Sequence, residues 1–222
     1  YTATVTATDG TNPTTQNITV NVTNVVENSS PIFTSNSSFT VEENQTSAAN
    51  ITVTDADSDS ISFSLSGTDV DSFAISSSGA LTFNSAPDYE TKDSYSLIIS
   101  ASDGTVSVNQ TVTIAISNIN EVPQISSLSS TQTPDENQLS VVTVSASDPD
   151  ASTTLTYTLS GADSSLFALS SSGVLTFKAA PDYEAPGDTD GDNNYQINVV
   201  ISDGSLSVTQ AITIQVQNVA DL

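Results

Sequence analysis

Two stretches decide the reading of this chain: "SFAISSSGALTFNSAPDYE" at 72–90 and "LFALSSSGVLTFKAAPDYE" at 166–184. They are one text written twice. Three further stretches align without gaps: "YTATVTATDGTNPTTQNITVNVTNVVE" from Tyr1, "YSLIISASDGTVSVNQTVTIAISNINE" from Tyr95 and "YQINVVISDGSLSVTQAITIQVQNVAD" from Tyr195. Tyr1, Tyr95 and Tyr195 correspond, so the repeat spacing is 94 residues and then 100. A repeat of this length fixes the architecture before any single residue is read. It also recasts the acids of "PDYE". A catalytic pair is needed once, whereas a pair that recurs with the repeat serves whatever each repeat does.

Within each unit the apolar residues alternate. Ile61, Phe63 and Leu65 are separated by Ser62 and Ser64; Val112, Ile114 and Ile116 follow the same period, as do Ile212, Ile214 and Val216. Period two with β-branched and aromatic residues marks half-buried strands. "DG" at Asp103-Gly104 and Asp203-Gly204 divides two such runs and reads as a hairpin turn. No segment has a helical period. About seven short strands per repeat predict an all-β fold of tandem Greek-key β-sandwiches with immunoglobulin-like architecture. The expected division is 1–28, holding only the last two strands of a truncated unit, then whole units at 29–121 and 122–222. The joints "NVVENSSP" and "NINEVP" are too short for free linkers, which predicts units placed end to end.

Composition narrows the function. Of 222 residues, Lys and Arg total 2 against 26 Asp and Glu, a net charge of -24. Nucleic acid is excluded as a natural partner, because phosphate binding needs clustered basic residues. Anionic membrane surfaces are disfavoured for the same reason, and no apolar run of spanning length argues for membrane insertion. Cations are the natural partners. Two carboxylates at 4 Å repel by about 4 kcal/mol at an effective dielectric of 20, so acids gathered together need a metal. There is no His, Cys or Arg. Disulfides and thiolate chemistry are thereby excluded, and paired carboxylates that recur with a repeat do not make an enzyme. The absence of an initiator methionine and signal peptide reads as an excerpt from a longer protein.

The order of motifs in each unit resembles a cadherin repeat of the bacterial cadherin-like kind. The first whole unit carries Glu43-Asn44, "DAD" at Asp55 and Asp57, "DYE" at Asp88 and Glu90, "ASD" at Asp103 and "NINEVP" ending at Pro123; the second carries Glu136-Asn137, "DPD" at Asp148 and Asp150, "DYE" at Asp182 and Glu184, and "ISD" at Asp203. The resemblance implies Ca²⁺ at the joints. At the central joint it implies Glu43, Asp88, Glu90, Asn118, Asn120 and Glu121 from one unit and its tail, with Asp148, Asp150 and Asp203 from the next. Such a set suits Ca²⁺, which takes six to eight oxygens from several loops. At the first joint the resemblance leaves Asn24 and Glu27 to meet Asp55, Asp57 and Asp103, with Val26 where a second Asn is expected. At the far end Glu136, Asp182, Glu184, Asn218 and Asp221 await a following unit.

Alternatives stay open beside these readings. "ASDG" and "ISDG" are turns with or without a metal role. "VEEN" and "PDEN" also read as solvated acids guarding a strand edge. Tyr89 and Tyr183 read as packing residues. The insertion "APGDTDGDNN" places Asp188, Asp190 and Asp192 at alternate positions, like the start of an EF-hand loop, but its twelfth position is Val199 rather than Glu. It reads either as a solvated loop or as an extra Ca²⁺ site. Sequons stand at Asn17, Asn21, Asn28, Asn36, Asn44, Asn50 and Asn109, and bear on glycosylation only in an organism that glycosylates asparagine. The function expected is that of Ca²⁺-rigidified extender repeats in an extracellular adhesin or surface fibre at the cell surface, serving adhesion or biofilm attachment. Neighbouring repeats of the same chain are its first partners, with glycans, other cell-surface proteins or self-association into fibres beyond them. The alternative is a Ca²⁺-dependent carbohydrate- or protein-binding module.

Overall fold

A computed structural model describes residues 1–23, 25, 27–150 and 153–220. Among these residues the fold is all-β, interrupted by two single 3-10 turns at Val70–Ser72 and Ser164–Leu166. The repeat seen in sequence is a repeat of sheets. In the first copy Ser38–Glu42, Ser107–Ser117, Ser94–Ser102 and Ser62–Ser66 lie side by side, and Ser47–Asn50, Ala80–Phe83 and Phe73–Ile75 form a second sheet. In the later copy the corresponding sheets are Thr131–Gln132, Ser207–Gln215, Asn194–Ser202 and Thr156–Ser160, and Ser140–Thr143, Val174–Phe177 and Phe167–Leu169. Short pairs, Ile32–Phe33 with Val53–Thr54 and Gln124–Ser127 with Ser145–Ser147, complete each copy. Tyr1 to Val20 forms a separate two-stranded hairpin, Thr2–Thr8 against Pro13–Thr19.

The alternation predicted for the strands is their burial. Val112, Ile114 and Ile116 are buried in one copy, and Ile212, Ile214 and Val216 in the other. Phe73 meets Phe83 at 4.5 Å between ring centroids, and Phe167 meets Phe177 at the same 4.5 Å. Tyr195 closes the later cluster edge-on to both rings, the geometry favoured by the ring quadrupole. Most pairings are antiparallel. A parallel pairing also occurs: Thr131 and Gln132 run parallel to Thr213 and Ile214, and Asp135 bridges Gln217 in the same sense.

The "SSSG" of the opening stretches has a steric reason. Gly79 and Gly173 sit at φ of 87° and 82°, where a side chain is strained. A Cβ there would overlap the carbonyl oxygens of Ile51 and Val144, whose own N–H groups bond to the carbonyls of Gly79 and Gly173 at 2.8 Å. Strand crosses strand too closely for any other residue.

Packing separates the chain into two compact units. One comprises Tyr1–Phe39, Ser47–Asn84 and Ser96–Thr113; the other comprises Thr40–Thr46, Ser85–Tyr95 and Ile114–Leu222. The acids divide along the same line. Glu43, Asp88, Glu90, Asn118, Asn120, Glu121, Asp148, Asp150 and Asp203 all belong to the second unit. Asn28, Asp55, Asp57 and Asp103 all belong to the first.

Candidate metal centre

Glu43 is the anchor of the central group. It comes directly after the strand Ser38–Glu42, and Asn44 then turns the chain at a φ of 64°, a left-handed conformation asparagine tolerates better than most residues. The turn sends the Glu43 side chain inward, where it is 2% exposed. Its two oxygens accept the backbone N–H of Tyr89 at 2.9 Å and of Ile119 at 2.8 Å. Glu136 repeats this: after it comes Asn137 at φ 62°, it is 3% exposed, and it accepts Tyr183 N–H at 2.9 Å and Val219 N–H at 2.8 Å. Those two bonds hold the Glu136 carboxyl below its ordinary pKa. Neither glutamate is a solvated acid at a strand edge, so that reading is corrected. A buried carboxylate with two amide donors is a strut, and each strut fixes the neighbouring "DYE" loop. Tyr89 and Tyr183 take part through their backbone, with their rings partly exposed.

The strut gathers acids. Glu43, Asp88 and Glu90 each bring a carboxylate oxygen within 4.8 Å of the others, and so do Glu136, Asp182 and Glu184. The Thr91 hydroxyl bonds Asp88 at 2.9 Å and holds its pKa low. Desolvation, then repulsion from Glu43, Asp150 and Glu121, pushes the Glu90 pKa up. Three carboxylates therefore act on Glu90, which with Tyr89, Asp93, Asn118, Pro149 and Asp150 lines a cleft of about 580 Å³.

The segment 118–121 joins the two sets of acids. Asn118 Nδ2 donates to Glu90 at 2.6 Å, Asn120 Nδ2 donates to Asp203 at 2.8 Å, and Glu121 N–H donates to Asp150 at 2.8 Å. Asn44 Nδ2 in turn donates to Glu121 at 3.0 Å. Asp203 Oδ1 also accepts Leu206 N–H at 2.6 Å, and the Asn120 amide with the Leu206 and Ser205 amides lowers its pKa. The "DG" turn and the contact with Asn120 are thus served by the two different oxygens of Asp203.

Asp148 shows what the donor set lacks. Its Oδ1 accepts Asp150 N–H at 2.9 Å, while its Oδ2 is buried with no hydrogen-bond partner. Asp55 repeats the pattern in the first unit, with Oδ1 accepting Asp57 N–H at 2.9 Å and Oδ2 buried and unpartnered. A buried carboxylate oxygen facing no donor is costly in protein alone and is what a hard cation would satisfy. All-oxygen donors from carboxylates and amides fit Ca²⁺.

At the first joint the placement differs from the sequence reading. Asn24 and residue 26 lie outside the described residues, and Glu27 is exposed. Asn28 Nδ2 donates to Asp103 at 2.9 Å, and Ser29 N–H donates to Asp57 at 2.6 Å. Asn28 and Ser29 therefore occupy the places of Asn120 and Glu121. Counting back from Pro31 and Pro123 gives this register directly, whereas the gapless alignment from Tyr1 and Tyr95 lands two residues early. Val106 N–H, then Asn28, lowers the Asp103 pKa. Asp59 joins Asp55 and Asp57 in a third acidic group that the motifs did not single out. At the far end Asn218 Nδ2 reaches Glu184 at 2.6 Å, and Asp221 lies outside the described residues.

The insertion in the later copy does gather its aspartates. Asp188, Asp190 and Asp192 form the fourth group, with Asp188 accepting Asp192 N–H at 2.9 Å. The loop also seals Asp163, which is 3% exposed and accepts Thr189 N–H at 2.8 Å, the Thr189 hydroxyl at 2.6 Å and Gln196 N–H at 2.6 Å. Burial pushes the Asp163 pKa up, but the Thr189 and Gln196 bonds outweigh it and the net shift is downward.

The fold has counterparts among known proteins. Residues 37–117 match the family model of the Cadherin domain. Among solved structures, human protocadherin-24 EC1-2 (form II) superposes with a TM-score of 0.56 at 21% identity, covering 86% of this chain and 100% of that one. Mouse cadherin-23 EC22-24 gives a TM-score of 0.52 at 26% identity, over 98% of this chain and 74% of that one. Drosophila N-cadherin EC1-4 gives 0.56 at 20% identity, over 86% and 50%. No curated protein matches the chain. The fold is that of cadherin-like sandwiches.

Proposed function

We propose that this chain consists of Ca²⁺-rigidified repeats of an extracellular adhesin or surface fibre, and that its ions set shape rather than perform chemistry. In this reading residues 29–121 and 122–222 are two repeats, and residues 1–28 are the last two strands of another. One observation carries it. Glu43, Asp88 and Glu90 from one repeat and Asp148, Asp150 and Asp203 from the next belong to a single compact unit around residues 118–121, with the Asp148 Oδ2 oxygen buried and without a donor.

Glu90, Asp88, Glu121, Asp148, Asp150 and the Asn118 and Asn120 carbonyl oxygens would hold the cation, and Glu43 would brace the loops that present them. A bound cation supplies the positive charge that the group lacks. Without it, the like charges acting on Glu90 oppose the arrangement. Extracellular modules of this kind bind Ca²⁺ at roughly 10⁻⁴–10⁻³ M. Surface location, adhesion and attachment follow from the same reading.

Small-angle scattering in 5–10 mM Ca²⁺ (about ten times the weaker affinity) and in EDTA tests the claim. The maximum dimension should narrow in spread with Ca²⁺, and Mg²⁺, which demands a tighter octahedral shell, should substitute poorly. Identical scattering and identical melting in Ca²⁺ and EDTA would falsify it.

A further inference from the structure

The N-x-S/T sequons are unevenly placed. Ten asparagines lie in residues 1–110, and seven of them head a sequon; seven lie in residues 111–222, and none does. Ser and Thr are abundant in both parts, so composition alone does not account for the contrast. Three of the sequons combine exposure with a free acceptor. Asn109 and Thr111 are both exposed on Ser107–Ser117, with Gln110 partly buried between them. A strand turns residues i and i+2 to one face, so the acceptor amide and the hydroxyl that completes the signal stand side by side toward solvent. Asn50 and Thr52 flank buried Ile51 and are both exposed. Asn36 and Ser38 are exposed as well, and the Ser37 carbonyl accepts Thr113 N–H at 2.9 Å, which sets Asn36 beside the strand that carries Asn109. All three asparagines belong to the first compact unit, and among the described residues no hydrogen bond holds their side-chain amides. Asn28 and Asn44 differ. Asn28 Nδ2 donates to the Ser29 carbonyl at 3.2 Å and to Asp103 at 2.9 Å, and Asn44 Nδ2 donates to Glu121 at 3.0 Å.

We propose that Asn36, Asn50 and Asn109 are covalently glycosylated, each through a neutral hexose or N-acetylhexosamine, and that Asn28 and Asn44 stay bare. The later copy is the contrast within the same chain. Thr143 and Thr209 stand where the first copy has Asn50 and Asn109, and Ala211 stands in place of Thr111; these positions are exposed in both copies. The surface is the same and only the acceptor is missing, so the modification marks one repeat and not the other. In the transfer, Asn Nδ2 attacks the anomeric carbon of a glycosyl phosphate donor. A C–N bond forms, the C–O bond to the phosphate breaks, the phosphate leaves with the electron pair, and a base of the transferring enzyme takes one amide proton. Donor and enzyme come from the source cell. Asn28 and Asn44 have their amide nitrogens committed to the acidic groups, which keeps sugar away from the oxygens offered to a cation. A neutral sugar suits a chain of net charge -24, because it adds bulk and hydration without adding to self-repulsion. Ser107–Ser117 has no charged residue, so a sugar on Asn109 would keep this neutral sheet face from packing on that of another chain.

The test is mass spectrometry of the protein isolated from its source cells, cut by a protease that cleaves after acidic residues. Such cleavage leaves Asn109 within residues 104–121, Asn28 and Asn36 within 28–42, and Asn44 and Asn50 within 44–55. Electron-transfer fragmentation then assigns a sugar to one asparagine of each pair. Asn36, Asn50 and Asn109 should carry the added mass of a hexose or N-acetylhexosamine, and Asn28, Asn44 and every asparagine after Thr111 should carry none. Asn109→Gln, expressed in the same cells, should remove the sugar from 104–121 and leave it on Asn50. Unmodified peptides at all three positions would overturn the proposal. So would sugar at Asn28 or Asn44 in yield equal to that at Asn109, since exposure and a free amide would then not choose the site. Either failure leaves the scattering difference between Ca²⁺ and EDTA untouched, so it is distinct from failure of the proposed function.

Discussion

The loop from Asp88 to Tyr95 and its counterpart from Asp182 to Tyr195 begin with the same "DYE" and end on the same tyrosine, but the later one is six residues longer. At the acidic end nothing changes: Glu43 and Glu136 each hold two backbone amides, and each gathers its Asp and Glu within the same 4.8 Å. At the tyrosine end much changes. In the shorter loop Lys92 lies over the Tyr95 ring at 4.6 Å. In the longer one Tyr195 is 2% exposed, its hydroxyl accepts Gly187 N–H at 3.2 Å, and Thr189 covers Asp163. The acidic half is held constant between the copies, while the half that packs on its own sandwich differs.

Asp163 should mark the largest difference between the copies. Asp163→Ala strands the Thr189 and Gln196 amides in a buried place and should cost about 3 kcal/mol, whereas Asp69→Ala, at the partly exposed equivalent, should cost less. Urea titrations of the two variants give the ratio, and equal losses would break the comparison. Asp163 also makes stability depend on pH. Its folded pKa is lowered, so its contribution is present above the ordinary aspartate range and is lost as pH falls through the lowered value. Asp163→Asn should flatten that acid limb.

Glu90 and Glu184 test the constant half. With Ca²⁺ at a hundred times its dissociation constant the bound state gains about 2.7 kcal/mol. Glu90→Ala should remove most of that gain, since Asp150 and Glu121 complete its group. Glu184→Ala should leave it nearly intact. Melts of both variants in Ca²⁺ and EDTA decide the point, and loss of the gain in both would mean that the half-site binds alone. A smaller effect is expected of Tyr195→Phe, about 1 kcal/mol for the lost acceptor of Gly187 N–H. Lys92→Ala should cost about 0.5 kcal/mol, the worth of an exposed cation–π contact.

Much of this was legible in the residues. The alternation in Val112–Ile116 and Ile212–Val216 is strand burial seen from outside, and acidic motifs in one order, five in the first whole unit and four in the second, point to the groups that form. Three things were not legible. The burial of Glu43 and Glu136 depends on amides contributed 46 and 76 residues away in one copy, and no local pattern distinguishes such a glutamate from a solvated one. The role of Asn28 was hidden by two extra residues in the first joint, which shift the tail alignment but not the count back from proline. Asp163 looked like any loop aspartate because Thr189, which buries it, arrives from an insertion.

The parallel run of Thr131–Gln132 beside Thr213–Ile214 has a mechanical consequence. Thr131–Gln132 follows closely on Gln124–Ser127, the first strand of the later sandwich, Ser207–Gln215 is the last strand of that sandwich, and the two point the same way. Tension drawn between the entering and leaving ends pulls them in opposite directions along their shared axis. Their hydrogen bonds, with the Asp135–Gln217 bridge beyond them, then bear the load together in shear. A hairpin such as Asn194–Ser202 with Ser207–Gln215, pulled apart at its open end, gives way one bond at a time. The sandwich is therefore built to yield late under a pull along the chain.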